Sequence, residues 1–212
     1  LIAGIAVPPT LTKNKTGEPS VVERTPPPEG YRIAIFLALV SITMLFLALT
    51  SAYIFNRANT HPIVMPRVLW LSTALISASS LTMELARRSL RLRQEGGFKL
   101  WLAVTMALGL GFLGAQLTAW HHLVESGFYI NRDFYNGYAY VRNFHSSYAY
   151  IFTGLHGVHL LGGLVALAYL MARAQEKWTA VRRRVSVDVT ALYWHFLDGL
   201  WIYLLALLFF WK

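Results

Sequence analysis

The sequence predicts an all-α membrane bundle of five transmembrane helices, with the N-terminus inside and the C-terminus outside. Three observations predict it. Five continuous apolar segments, at about 32–56, 68–88, 99–122, 146–172 and 187–211, each reach the ~20 residues an α-helix needs to cross the hydrocarbon layer. Charged residues make up only 14% of the chain, against ~25% in an ordinary soluble domain. The basic residues fall between the segments and alternate in density, as the connections of a membrane bundle do.

Residues 1–30 are rich in Pro, Thr and charge and end in Pro26-Pro27-Pro28, which predicts an extended cytoplasmic tail. They hold no long apolar core of the signal-peptide kind, and because the chain starts at Leu1 we read an initiator or short leader as missing or removed. Asn14-Lys15-Thr16 matches a glycosylation sequon, discounted because the tail falls on the cytoplasmic side. Residues 31–212 then form one membrane domain without internal repeat. Helices are the only spanning form these runs allow, since backbone groups in hydrocarbon must be satisfied within the segment and a barrel would show short alternating strands. Aromatic residues punctuate the segment ends, at Tyr31, Trp70, Trp101, Trp120 and Trp211.

Orientation follows from Lys and Arg. The connection after the second segment holds Arg87, Arg88, Arg91, Arg93 and Lys99, and that after the fourth holds Arg173, Lys177, Arg182, Arg183 and Arg184. Lys13, Lys15, Arg24 and Arg32 join them on the N-terminal side, which leaves only Arg57, Arg67, Arg132, Arg142 and Lys212 opposite. The richer face is the inner one. The same distribution explains the formal charge of +9 without nucleic acid.

The candidate functional residues lie inside the apolar segments. Gly109-x-Gly111-x-x-Gly114 matches the dinucleotide fingerprint letter for letter, but it has no strand before it and no acidic residue after it. We read these glycines as packing positions, with Gly111 and Ala115 a small-xxx-small pair. Gln116 and Trp120 at i and i+4, together with Trp194 and Trp201, are read as packing or lipid-facing, and Arg182, Arg183 and Arg184 as holders of anionic lipid head groups. Ionisable groups inside a membrane are costly and kept paired. Glu84 is a possible buried acid near the inner end of the second helix. His156 and His159 share a face of the fourth at i and i+3, as His195 and Asp198 do on the fifth. These four predict one interhelical polar cluster.

A metal reading does not follow. At 1.5 Å per residue, His195 lies roughly 12 Å from the inner end of its segment and His159 roughly 20 Å from the inner end of its own, so the depths mismatch for axial haem ligands. His121 and His122 sit at an interface, where snorkelling is expected. No segment carries the Glu-x-x-His ligands of a di-iron bundle, and the absence of cysteine excludes thiolate sites, iron–sulfur clusters and disulfides. The prediction is no catalytic residue and no metal in this chain.

Two stretches carry a resemblance. Thr153-Gly154-Leu155-His156-Gly157-Val158-His159-Leu160 and, about 35 residues later, Tyr193-Trp194-His195-Phe196-Leu197-Asp198-Gly199-Leu200-Trp201 are similar to the signatures of subunit III of cytochrome c and quinol oxidases, the haem–copper terminal oxidases. The run at 108–116 also resembles the family's third-last helix. The resemblance covers residues 31–212. It implies a non-catalytic core subunit of a proton-pumping oxidase in the bacterial inner membrane, working in aerobic respiratory electron transport. Such a subunit packs mainly on subunit I, alongside subunit II and other subunits of the respiratory complex. Haem and copper lie in those partners, and phospholipid is bound. The subunit supports proton uptake and durable turnover of subunit I.

There are departures from the family pattern. Many members have seven helices, and this chain matches the five-helix forms. Ile42 stands where the family has a carbodiimide-reactive glutamate, and Ala119 where an acidic residue is common. The second reading is an accessory subunit of nitric oxide reductase, which shares fold and motifs. A transporter would show paired broken helices, and there are none here.

Overall fold

A computed structural model of the chain describes residues 10–13, 19–22, 28–55, 68–125, 133–135, 140–142, 144–174 and 180–210. Five helices dominate it: α1 Pro28–Phe55, α2 Val68–Arg91, α3 Glu95–Glu125, α4 Phe144–Arg173 and α5 Ala180–Phe210. All five are long and apolar enough to cross a membrane. Asn14, Lys15, Thr16, Arg24, Arg57, Arg67, Arg132, Lys177, Trp211 and Lys212 lie outside the described residues.

The helices overrun the apolar segments, most of all at the starts of α3 and α5. α3 starts at Glu95, not 99, and α5 at Ala180, not 187. Arg87, Arg88 and Arg91 therefore sit on α2 and Arg182, Arg183 and Arg184 on α5, where connecting loops were expected. Arginine is a good helix former, and a continued helix satisfies its own backbone where the chain leaves the hydrocarbon. Within residues 1–30 two short extended strands, β1 Thr10–Lys13 and β2 Pro19–Val22, pair antiparallel with Thr10 opposite Val22. Its Thr and Val residues favour strand, and Pro19 opens one. A second hairpin pairs β3 Asp133–Tyr135 with β4 Tyr140–Arg142.

α2 and α3 form a tight hairpin. Arg93 takes the left-handed conformation, φ 58°, that usually falls to glycine after a helix end, and Gln94 N–H donates to Ser89 C=O at 2.9 Å. From there α2 packs on α3 and α5, α5 on α4, and α4 on α3, while α1 lies outside against α5 and α4. The four-helix core centres on Trp194, Trp201, Phe112, Ile76 and Met83. A separate cluster of Ile42, Phe46, Tyr53, Phe152 and Leu204 holds α1.

Trp194 shows why two glycines are needed. A Cβ on Gly109 of α3 or on Gly163 of α4 would lie 3.0 Å from the indole, so the ring sits in a slot between two helices. The rest of the glycine run behaves differently from expectation. Gly111 is exposed and only reaches Leu75 at 3.8 Å, and a Cβ on Gly114 would meet nothing within 4 Å. Close approach needs a backbone facing a neighbour, and of the three only Gly109 is buried.

Candidate functional site

α2 carries Thr73, Ser77, Ser80, Glu84, Arg87 and Arg91 at alternating steps of four and three, which places them on one helical face. α5 runs antiparallel beside it and answers with Trp201, Asp198, His195 and Asp188. The result is a polar seam along the α2–α5 contact. At the end nearest the start of α2, Trp201 Nε1 donates to Thr73 Oγ1 at 3.1 Å. Next, Ser77 Oγ donates to Asp198 Oδ1 at 3.4 Å, and Ser80 Oγ pairs with His195 Nδ1. His195 Nε2 stands 3.9 Å from Glu84 Oε2. Arg87 closes the opposite end, donating to Glu84 at 2.8 Å and to Asp188 at 3.0 Å. Arg88 and Arg91 flank it, 3.8 Å from Glu84 and 3.7 Å from Asp188.

The expected four-residue cluster divides. His195 and Asp198 meet side chains of α2, and the other two do not. His156 is fully buried, with its ring 5.3 Å from that of Trp201 and 5.8 Å from that of Phe112. Neither of its nitrogens has a hydrogen-bond partner among the described residues, so the imidazole packs as an aromatic ring. His159 turns its Nδ1 to the Leu155 carbonyl of its own helix at 2.7 Å and its ring toward Phe46 of α1. The i, i+3 spacing correctly puts two residues on one side of a helix. It does not say which neighbour that side meets.

The other candidate residues also take definite places. Glu84, expected to be buried and paired, is faced by two arginines, with its side chain 34% exposed. Of the two roles expected for Trp194 and Trp201, packing or lipid contact, both residues take packing: they are buried in the bundle, and Trp194 Nε1 donates to Ser79 Oγ of α2 at 2.9 Å. Arg183 is held by Glu95 at the start of α3 through a two-pronged pair, one arm at 2.8 Å, with its guanidinium 4.9 Å above the Phe98 ring. Bidentate geometry of this kind orients as well as attracts. Arg182 and Arg184 are exposed. On α3, Trp120 Nε1 donates to Thr153 Oγ1 of α4 at 3.0 Å, and Gln116 is buried on the same face.

Sequence reasoning missed Thr73, Ser77, Ser80, Arg87 and Asp188. Their signal was the period. Small hydroxyl residues repeat down α2 in phase with Glu84 and Arg87, and Asp188 lies two turns before His195. Among the described residues no three His, Asp or Glu side chains converge as a metal site would need. The seam can tie helices together and carry hydrogen bonds to mid-membrane depth.

Both signature stretches belong to this packing scheme. Thr153, His156, Trp194, His195, Asp198 and Trp201 together lock α5 and α4 onto α2 and α3. Residues 22–212 match the family model of cytochrome c oxidase subunit III. The chain belongs to that family. A probable cytochrome c oxidase subunit 3 of Nocardia farcinica is 29% identical over 191 residues, 86% of this chain and 89% of that protein. The cytochrome c oxidase subunit 3 of Bacillus subtilis is 28% identical over 184 residues, 84% of each. The cytochrome bo(3) ubiquinol oxidase subunit 3 of Pseudomonas aeruginosa is 31% identical over 138 residues, 65% of this chain and 63% of that protein. As an oxidase subunit III of the haem–copper family, the chain is a multi-pass membrane protein that associates with other oxidase subunits.

Proposed function

We propose that this subunit III is a non-catalytic core component of a proton-pumping terminal oxidase in a bacterial cytoplasmic membrane. Its N-terminal tail lies inside and its C-terminus outside. It carries no redox centre, and the haem and copper of the enzyme are held by the partner subunits. Its work is mechanical and electrostatic: it braces subunit I and keeps the inner surface near proton entry ordered, beside subunit II and the remaining subunits. Arg182 and Arg184 hold anionic phospholipid at that surface.

One observation carries this reading. The intramembrane imidazoles and carboxylates are engaged in holding helices together. His195 pairs with Ser80, His156 stacks among aromatic rings, and Glu84 and Asp188 clasp Arg87. Groups locked in helix packing suit a brace.

Depletion is the test. Stripping this chain from the purified oxidase with mild detergent is expected to leave haem and copper content and most of the initial oxygen-reduction rate, with faster decay during sustained turnover. Stoichiometric loss of haem, or an unchanged turnover lifetime, would sink the proposal.

A further inference from the structure

The outer surface of the bundle is not uniform. On α1, α3 and α4 its exposed mid-depth side chains include Met44, Leu117 and Val165, each more than 60% exposed, as suits contact with lipid. The face of α5 that looks out between α1 and α2 is different. The span Arg182–Phe209 places His195 at its centre and Asp198 one turn further on. The His195 side chain is 37% exposed and Asp198 is half-buried. Ser77 donates to one oxygen of the Asp198 carboxyl, which leaves acceptor capacity open. Acyl chains offer no donor, and ionisable groups at this depth face protein or a water-filled cavity.

Shape points the same way. Gly199 is exposed at the middle of the face, and a Cβ there would meet nothing within 4 Å. Small residues let transmembrane backbones approach closely. Beside it, toward α1, lies an apolar hollow of about 300 Å³ between Phe46 and Leu47 of α1 and Phe196 and Tyr203 of α5. The face thus offers a polar wall, a flat centre and an apolar hole along one helix length, the complement of a helix with a donor and a bulky apolar knob.

We infer that this α5 face seats a transmembrane helix of the oxidase's catalytic subunit. The backbone of that helix runs over Gly199, an apolar side chain fills the hollow, and a hydrogen-bond donor stands opposite Asp198. The inference rests on the reading of the chain as an oxidase subunit and names the surface through which it acts.

The test uses the whole oxidase, purified through a tag on this chain, with co-purifying haem as readout. Gly199→Leu adds bulk into open space and replaces glycine by a better helix former, so the isolated chain is expected to fold. Haem recovery should be lost with Gly199→Leu and kept with Gly114→Leu, the same change on the outer side of α3. Retained haem with Gly199→Leu, or equal loss with both, overturns the inference. If the unaltered chain brings down no haem, the reading as an oxidase subunit fails instead. Labelling gives an independent check, because the chain has no native cysteine. Leu192→Cys and Ile202→Cys flank the face and should react with a membrane-permeant maleimide in the isolated subunit but not in the complex. Leu117→Cys and Val165→Cys should react in both. Equal reaction at all four sites in the complex means lipid covers the face, and a disulfide-linked dimer through Ile202→Cys means a second copy does. Either result overturns the inference.

Discussion

α1 and α2 are both membrane-spanning helices, yet they solve opposite problems. α1 is the more apolar, with mean hydropathy 2.6 over its best window, and only 17% of that window is buried. α2 has mean hydropathy 1.3 and 33% buried. In water the more apolar helix would be the inner one. In lipid the order reverses, because acyl chains are as apolar as leucine and apolar surface gains nothing by leaving them. Polar side chains are what must find partners. The hydroxyls show it in part. Ser41 and Thr43 on α1 donate back to carbonyls of their own helix, and Thr50 accepts across, from Tyr203 of α5, whereas on α2 Ser79 and Thr73 also accept from Trp194 and Trp201 of α5 and Thr82 meets Thr105 of α3.

The largest expected difference lies in the aromatic cores beside each helix. Trp194→Ala empties the slot between Gly109 and Gly163 and strips Ser79 of its donor, at a cost of about 3–5 kcal/mol. Phe46→Ala, which loosens α1 alone, should cost clearly less. Unfolding in mixed micelles followed by circular dichroism ranks the two, and equal losses would show α1 to be as integral as α2.

A smaller effect is expected at the Arg87 end of the seam. Arg87→Leu leaves Glu84 and Asp188 facing each other without their shared cation. Breaking a fully buried pair costs ~3–5 kcal/mol, but these side chains are 24–38% exposed, so solvent screening brings the figure to about 1–2 kcal/mol. The companion change Asp188→Asn in the Arg87→Leu background should recover part of it. Failure to recover would mean that Arg87 acts by packing and not by charge.

The smallest effect sharpens the comparison most. Ser80→Ala removes a contact to His195, and interhelical contacts of this kind average ~0.6 kcal/mol. Thr43→Val on α1 removes only a bond to its own helix and should fall within about 0.5 kcal/mol of no change. A double-mutant cycle of Ser80→Ala with His195→Ala should show coupling. A cycle of Thr43→Val with His195→Ala should show none.

The count and order of the helices were legible in the sequence because hydrocarbon thickness imposes a length on every apolar segment. Their basic ends were not, because Arg182, Arg183 and Arg184 read as a loop although nothing in them stops a helix. Candidate residues fared likewise. Pairs on one helix, such as His195 with Asp198, were correctly placed on a shared face, while the joining of His156 and His159 to them was not. The serines of α2 were passed over singly, and only as a periodic stripe opposite His195 and Asp198 do they gain meaning.

By itself, then, the sequence determined that five segments are long and apolar enough to cross a membrane and where the costly polar groups lie along each, since solvation and helical geometry are local. Which of those groups meet was decided by tertiary structure alone. Trp194 settles between Gly109 and Gly163, and that seating turns His195 and Asp198 toward α2 and leaves His156 among aromatic rings. The physical reason is that a helix's azimuth is set by the shapes of the neighbours it packs against, and no residue carries that information on its own.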